Sequence, residues 1–334
     1  ALLQDKRIVE YHIEQSEPQF SVGDIYLGTI KKLVSGLNAA FIDIGYEKDA
    51  FLHYHDLGPN LPTLQKFTRE VMTKKNKVIR LENFKLEPEI DKLGKIEKAV
   101  QKGHLALVQV VKEPISTKGP RLSCDISIAG RFLVYLPQQD HIGVSQRIED
   151  EAEREILRDR LIGLLPENHA GGYIIRTMSE TASDEELLAD IAYLDKVWSN
   201  IQAASHGASE RSLVFQDLNL PMRILRDVVN EKTDRIVVDS RETFQKLSEF
   251  AELYAARAVK RLEHYQGERP LFDMYNVEVE IEKAMSRKVE LKSGGYLIFD
   301  QTEALTTVDV NTGGFVSGKS LSDTIFKTNL EASQ

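Results

Sequence analysis

Cysteine is nearly absent: the 334 residues hold only Cys124. One thiol excludes an internal disulfide and any zinc site built from several cysteines, and this small side chain is expected in an apolar core. No apolar run approaches the roughly twenty residues that a membrane-spanning helix needs, and no signal peptide is evident at the start. The expectations are a cytoplasmic chain and no membrane partner. Positive charge is also in deficit. Lys+Arg number 43 against 52 Asp+Glu, a net charge of −9, which argues against a protein that coats nucleic acid indiscriminately. The deficit is uneven. Residues 66–118 carry 13 Lys+Arg and 7 Asp+Glu, a local +6 that leaves −15 elsewhere. Charge gathered on an acidic body suits a nucleic-acid site confined to one surface, or equally a solvated, lysine-rich insertion. The remainder is ordinary for a folded chain, 42% hydrophobic and 28% charged, and long enough for two or three compact units.

The most informative stretch is residues 289–331, VELKSGGYLIFDQTEALTTVDVNTGGFVSGKSLSDTIFKTNLE. It reads as three strands, VELKSGG, YLIFD and LTTVDV, then a glycine-rich loop and a helix from near Leu321. Side chains alternate faces along a strand. Val308 and Val310 therefore point one way, and Thr307, Asp309 and Asn311 the other. An acid and an amide at the carboxyl end of a strand suit a hard cation such as Mg2+, which takes one or two carboxylates plus water and phosphate oxygens. The plain alternative is a solvated polar face on a half-buried strand. A third reading attaches to the loop itself. Residues 313–320, GGFVSGKS, fit a phosphate-cradling pattern in which Lys319 touches a nucleotide's phosphates and Ser320 holds Mg2+. Such a nucleotide hydrolase also requires a second acidic strand for its metal.

Upstream, KRIVEYHIEQ alternates like one strand whose partner lies later in the chain. Residues 21–57 are short strands punctuated by glycines, as in a small barrel. Within AAFIDIG, Phe41 shares a face with Asp43, opposite Ala40, Ile42 and Ile44; Phe51 with His53 repeats the arrangement. Aromatics on a charged outer face stack unpaired bases, although most aromatics fill cores. Residues 61–98 contain lysines but no strong motif and read as a helical or partly mobile excursion from the barrel. Lys118-Gly119-Pro120 marks a turn before the next strand. Taken by itself Arg176 reads as a surface residue, and in a continuous strand its neighbour Thr177 would face the opposite side.

Ser183-Asp-Glu-Glu186 is a capping box opening a helix with Leu187, Leu188, Ile191, Leu194, Trp198 and Ile201 on one apolar stripe. That is scaffold, and the sole Trp needs no special role. Helix, strand and helix follow over residues 220–265, with Phe244, Leu247 and Phe250 facing a core. The strand RIVVDS is expected to join the sheet begun by the first strand. Asp234 and Asp239 lack the arrangement of acids that a nuclease site uses.

The run GGYLIFDQTEALTTVDVNTGGFVSGKSLSDTIFKTNLEA resembles the catalytic segment of the bacterial ribonuclease E/G family over about forty contiguous residues. VGDIYLGTI, AAFIDIG and AFLHYHDL resemble that family's RNA-binding barrel. The resemblance implies an α+β multidomain chain. Its parts would be a ribonuclease H-like domain without its own catalytic acids, split into 1–20 and 222–283; an OB-fold barrel at 21–124, with the insertion at about 61–98; a 5′-sensor subdomain at 125–221; and the start of a DNase I-like catalytic subdomain at 284–334.

The implied activity is Mg2+-dependent, single-strand-specific endonucleolytic cleavage in RNA processing, rRNA included, and decay, leaving 5′-phosphate and 3′-hydroxyl ends. By the same resemblance Asp309 is the metal ligand and Asn311 supports the scissile phosphate. The resemblance also implies that Phe41, Phe51 and Lys118 contact RNA and that Gly130, Val134, Arg176 and Thr177 form a 5′-monophosphate pocket. A guanidinium and a hydroxyl suit phosphate, but both can serve one phosphate only if the strand ends there. Asp300 and Glu303, across a hairpin from Asp309, would support the metal from behind its direct ligand. The family's second metal-binding aspartate, its zinc-linking cysteines and its dimerisation domain lie beyond residue 334. The chain thus reads as an amino-terminal portion, with zinc expected only in the remainder and homo-oligomers only at full length. A non-catalytic RNA-binding fragment and the nucleotide hydrolase remain as alternatives.

Overall fold

A computed structural model describes the chain apart from residues 15–19, 74–78, 116–117, 168, 231, 303–304 and 317–319, and the side chains of 256 and 257. It divides into two compact units, Glu14–Glu263 and Ala1–Ile13 together with His264–Gln334.

The chain begins, in the smaller unit, with a hairpin of β1 (Leu2–Gln4) and β2 (Arg7–Glu10). Asp5 and Lys6 turn it at positive φ, the conformation that tight hairpins demand. In the larger unit, β3 (Ile25–Val34), β4 (Ala39–Asp43), β5 (Ala50–His53), β6 (Leu105–Lys112) and β7 (Arg121–Ser123) close into a five-stranded, OB-like barrel, because β6 returns to pair with β3. One face of each strand fills it: Ile25, Ala40, Ile42, Ala50, Leu52, Val108 and Leu122 are fully buried. Gly28 is required here, since a Cβ would collide with Ile42 on the neighbouring strand β4.

The described residues of 61–98 are helical in part, as expected, but do not stand off from the barrel. α1 (Leu61–Thr73) buries Leu61, Leu64, Phe67 and Val71 and packs against β6, and Ile96 of the short α2 (Ile96–Ala99) is fully buried. Each such side chain stabilises by about 1.5–3 kcal/mol, enough to make this segment part of the core. Cys124 is sealed in the same core, as expected, and burial pushes its thiol up to about 12.

A four-stranded sheet in the order β10-β11-β9-β8 follows, from β8 (Ile128–Ala129), β9 (Leu133–Leu136), β10 (Ile142–Val144) and β11 (Gly172–Ile175). α3 (Glu151–Leu164) and α4 (Asp184–Ser205) pack on it. The Ser183 capping box forms, and Leu187, Ile191, Leu194, Trp198 and Ile201 are buried. Leu188 leaves the stripe and is 45% exposed, because it lies one residue, about 100° of helix, from the seam through Leu187. Trp198 has a role that its position in a stripe conceals. Its indole donates to Glu82 Oε1 at 2.8 Å, while Gln202 donates to the same oxygen and accepts from the Leu81 amide. The segment after α1 is thereby tied to α4.

β12 (Ser212–Phe215) adds to β3. α5 (Leu220–Asp227), β13 (Ile236–Val238), α6 (Arg241–Tyr254), α7 (Ala256–Val259) and β14 (Leu262–His264) come next. A second small core gathers Leu225, Val229, Leu247 and Phe250, with Phe244 half-buried. Among the described residues RIVVDS does not join the first strand. β13 pairs with β14 and β1 with β2, local closures that cost less loop entropy than a pairing across the chain.

The smaller unit resumes with α8 (Leu271–Met274) and α9 (Val277–Ala284). An antiparallel meander of β15 (Lys288–Glu290), β16 (Tyr296–Gln301) and β17 (Thr306–Asn311) precedes α10 (Leu321–Ala332). Among the described residues no helix is long and apolar enough to cross a membrane.

Candidate active site and nucleic-acid interface

The barrel's alternation decides where its phenylalanines go. Ala40, Ile42 and Leu52 face inward with no exposure, so Phe41 and Phe51 face out, half-buried. They are direct cross-strand partners and meet edge to face, ring centroids 5.8 Å apart. Registers extend the pair into a row across all five strands: Lys32, Phe41, Phe51, Arg121, Lys112. Two aromatics flanked by cations on both sides can take stacked bases and the phosphates beside them. Arg121 is oriented by a two-pronged pair with Asp56, at 2.9 and 3.1 Å. Lys118 is exposed and forms an antiparallel bridge with Ile115. Gly119 lies against the chain before β5, where a Cβ would strike the Asp49 carbonyl. Lys32, Arg121 and Lys112 escaped the sequence reading because only the strand register places them beside Phe41 and Phe51.

The condition set for Arg176 and Thr177 is met. β11 ends at Ile175, and Thr177 opens a 3-10 turn, so the two are freed from strand alternation. Around Arg176 lies a polar network that motifs did not reveal. Its Nη1 donates to the Gly130 carbonyl and, at 2.7 Å, to Asp227 Oδ1. Arg226 grips both Asp227 oxygens at 3.0 Å and donates to the Ala129 carbonyl. Arg131 donates to the Leu225 and Val229 carbonyls at the end of α5. From the other side, Asp190 of α4 accepts from the amides of Arg131, Phe132 and Leu133. Its carboxylate lies where a Cβ on residue 130 would be, so Gly130 is demanded by the clamp on this turn. Val134 sits half-buried on β9, opposite Ile174. A guanidinium has five N–H donors, so Arg176, fixed through Nη1, retains capacity for an anion.

Burial pushes the Asp190 carboxyl up, against the pull of its three amide donors and of Arg176. Burial would also raise Asp227, but the hydrogen bond and charge of Arg226, followed by Arg176, outweigh it and hold this carboxyl below its ordinary value. A depressed carboxyl contributes stability that is present above its unfolded value, near pH 4, and lost as pH falls through the folded value. Asp227→Asn is expected to destabilise the larger unit by about 2–3 kcal/mol at neutral pH, somewhat less than breaking a fully buried ion pair, because Asp227 is only part-buried. Urea unfolding should show that deficit shrinking towards zero in acid.

In the β15–β17 meander, Thr307, Asp309 and Asn311 face one side and Val308 and Val310 the other. Both sides are open, Val308 being 48% exposed and Asp309 exposed. Asn311 Nδ2 donates to Asp309 Oδ2 at 3.0 Å. Tyr296 lies directly across from Asn311, and Ile298 from Asp309. Asp300 faces Thr307 and is committed elsewhere: Arg287 binds both its oxygens, at 2.7 and 3.1 Å, and that hydrogen bond lowers its pKa. Glu303 lies outside the described residues, and these contain no cluster of three or more His, Cys, Asp or Glu able to hold a metal. In the phosphate-cradle reading, Lys319 is likewise outside them. Ser320 serves as N-cap of α10, accepting from the Asp323 amide, and Gly313, at φ +53°, turns the chain tightly against the Gly294 carbonyl.

Residues 127–334 match the Ribonuclease E/G family. The chain belongs to the ribonuclease E/G family. It is 44% identical over 325 residues to Ribonuclease G of Salmonella typhimurium (strain SL1344), covering 97% of this chain and 62% of that protein. Ribonuclease G of Haemophilus influenzae is 39% identical over 334 residues, with coverage of 100% and 64%. Ribonuclease E of Nostoc sp. is 32% identical over 317 residues, with coverage of 93% and 42%. The chain thus spans under two thirds of these relatives' length. The ribonuclease E/G match takes in Gly130, Val134, Arg176, Thr177, Asp309 and Asn311. Phe41, Phe51 and Lys118 precede it, within the stretch aligned to the Haemophilus relative.

Proposed function

We propose that this protein is a single-strand-specific endoribonuclease of RNA processing and decay, dependent on Mg2+ and leaving 5′-phosphate and 3′-hydroxyl ends. The observation that carries the reading is Asp309, an exposed carboxylate on an edge strand with Asn311 hydrogen-bonded to it. The donor set fits a hard cation: oxygen ligands, one carboxylate, and open surface for water and phosphate oxygens. Asp309 would hold the ion, which when bound supplies charge neutralisation at the scissile phosphate and a more acidic water. Asn311 would position that phosphate by donating to it.

Phe41 and Phe51 stack unpaired bases, and Lys32, Lys112, Lys118 and Arg121 draw in the backbone. A duplex offers no free base faces to the two rings, which gives single-strand selectivity. Arg176 and Thr177 grip a terminal 5′-phosphate on the frame set by Gly130, Asp190 and Asp227. Binding energy spent on those contacts orients a phosphate elsewhere on the strand. The split ribonuclease H-like layout, the DNase I-like subdomain, homo-oligomerisation at full length and residence in the cytoplasm belong to the same reading.

The test uses two RNA oligomers identical but for a 5′-monophosphate or a 5′-hydroxyl. The full-length protein is expected to favour the monophosphate. Arg176→Ala should remove about 10–100-fold of that preference, the worth of a charged hydrogen bond, and leave cleavage of the hydroxyl form unaltered. An equal fall on both substrates would overturn the 5′-end role.

A further inference from the structure

We propose that His53 is a third base-stacking platform, extending the RNA-binding face of the barrel beyond Phe41 and Phe51; this rests on the RNA-binding reading above. His53 follows Phe51 by two residues on β5 and so shares its outward face. The two rings are 6.4 Å apart and only 28° from parallel. With the Phe41–Phe51 contact at 5.8 Å, this makes a continuous run of three rings across β4 and β5. The cross-strand partner of His53 is Ala39, which is buried and has no side chain beyond Cβ. The residue directly opposite on β4 therefore adds no bulk beside the imidazole, which is half-buried.

The ring is also fixed in place. His55 meets it edge-on at 4.9 Å and 83°, and His53 Nδ1 accepts from the His55 amide at 3.2 Å. The same turn carries Asp56, whose pairing with Arg121 sets a cation at the edge of the run. A flat ring held rigid on a face that already offers two aromatics and several cations has the chemistry of a single-strand track. An unpaired RNA base is the ligand class it would take.

The competing role is structural, since His53 caps the turn at residues 54–56. Two substitutions separate ring from cap. His53→Asn keeps a side-chain acceptor for the His55 amide and removes the ring. His53→Phe keeps a ring and removes the acceptor. With a fluorescein-labelled oligouridylate as probe, His53→Asn in the full-length protein should weaken binding by about 5–20-fold, within the range for losing one stacked base. His53→Phe should bind as tightly as the wild type or more so.

Wild-type affinity in His53→Asn, or an equal loss in both variants, would overturn the proposal. Phe41→Ala is run alongside. If it binds weakly while His53→Asn binds normally, only the extension fails; if neither weakens, the barrel-face reading fails with it.

Discussion

Asp309→Asn in the full-length protein is expected to slow RNA cleavage by about 10³-fold, the scale on which catalysis responds to loss of one charge-stabilising group. RNA affinity and stability should hold. Asp309 is exposed on an edge strand, where substitutions ordinarily change stability by under about 0.5 kcal/mol. The amide also preserves the local bond, because its carbonyl can still accept from Asn311 Nδ2, as Asp309 Oδ2 does at 3.0 Å. What the substitution removes is the negative charge and, with it, the grip on a hard cation proposed for this carboxylate. If Asp309 merely oriented Asn311, the Asn variant would cleave at close to the normal rate. Single-turnover cleavage beside equilibrium binding separates the two.

The second large effect belongs to the barrel face. Phe41→Ala and Phe51→Ala should each weaken single-stranded RNA binding by about 1–3 kcal/mol, roughly 5–150-fold. The deficit should be the same at low and high salt, because stacking releases no counterions. Lys32→Ala, Lys112→Ala and Lys118→Ala should behave differently. Each is expected to reduce the slope of log affinity against log salt by about 0.7, the single-strand value per neutralised phosphate. The fold should survive the phenylalanine changes, since the barrel interior is filled by Ala40, Ile42, Ala50 and Leu52 from the opposite face. Titrations at three ionic strengths test both halves. A Phe41→Ala deficit that vanished in high salt would assign the ring no stacking role.

How much of this could be read from the letters depended on how local each signal was. Strand alternation placed Phe41 beside Asp43 and Asp309 beside Asn311, because a period of two survives whatever the tertiary fold. The second and third meander strands and the start of α10 lie within a residue of their sequence bounds, whereas β15 ends at Glu290, and the rest of VELKSGG makes the turn into β16. Gly130 and Arg176 were found through family likeness, but the network that fixes them was not. Asp190 is a lone acid in an amphipathic helix, and Asp227 the last residue of another. Only the packed fold brings one under the β8–β9 turn and the other between two guanidiniums. The barrel's closure through β3 and β6, and with it the cations around the phenylalanines, is likewise a long-range pairing. RIVVDS was misassigned because alternation names a strand without naming its partner, and Leu188 because a stripe drawn from spacing is wider than the seam that is buried.

The central claim, that the carboxylate on β17 holds a divalent cation where RNA is cut, is tested most directly by counting the ion itself. Mn2+ substitutes for Mg2+ in hard oxygen sites and is visible by electron paramagnetic resonance. It would be titrated into the full-length protein and its Asp309→Asn variant, each with an RNA oligomer carrying a non-cleavable linkage. The wild type should bind an Mn2+ that the variant does not, with the oligomer bound equally by both. Identical Mn2+ binding by the two proteins would contradict the account.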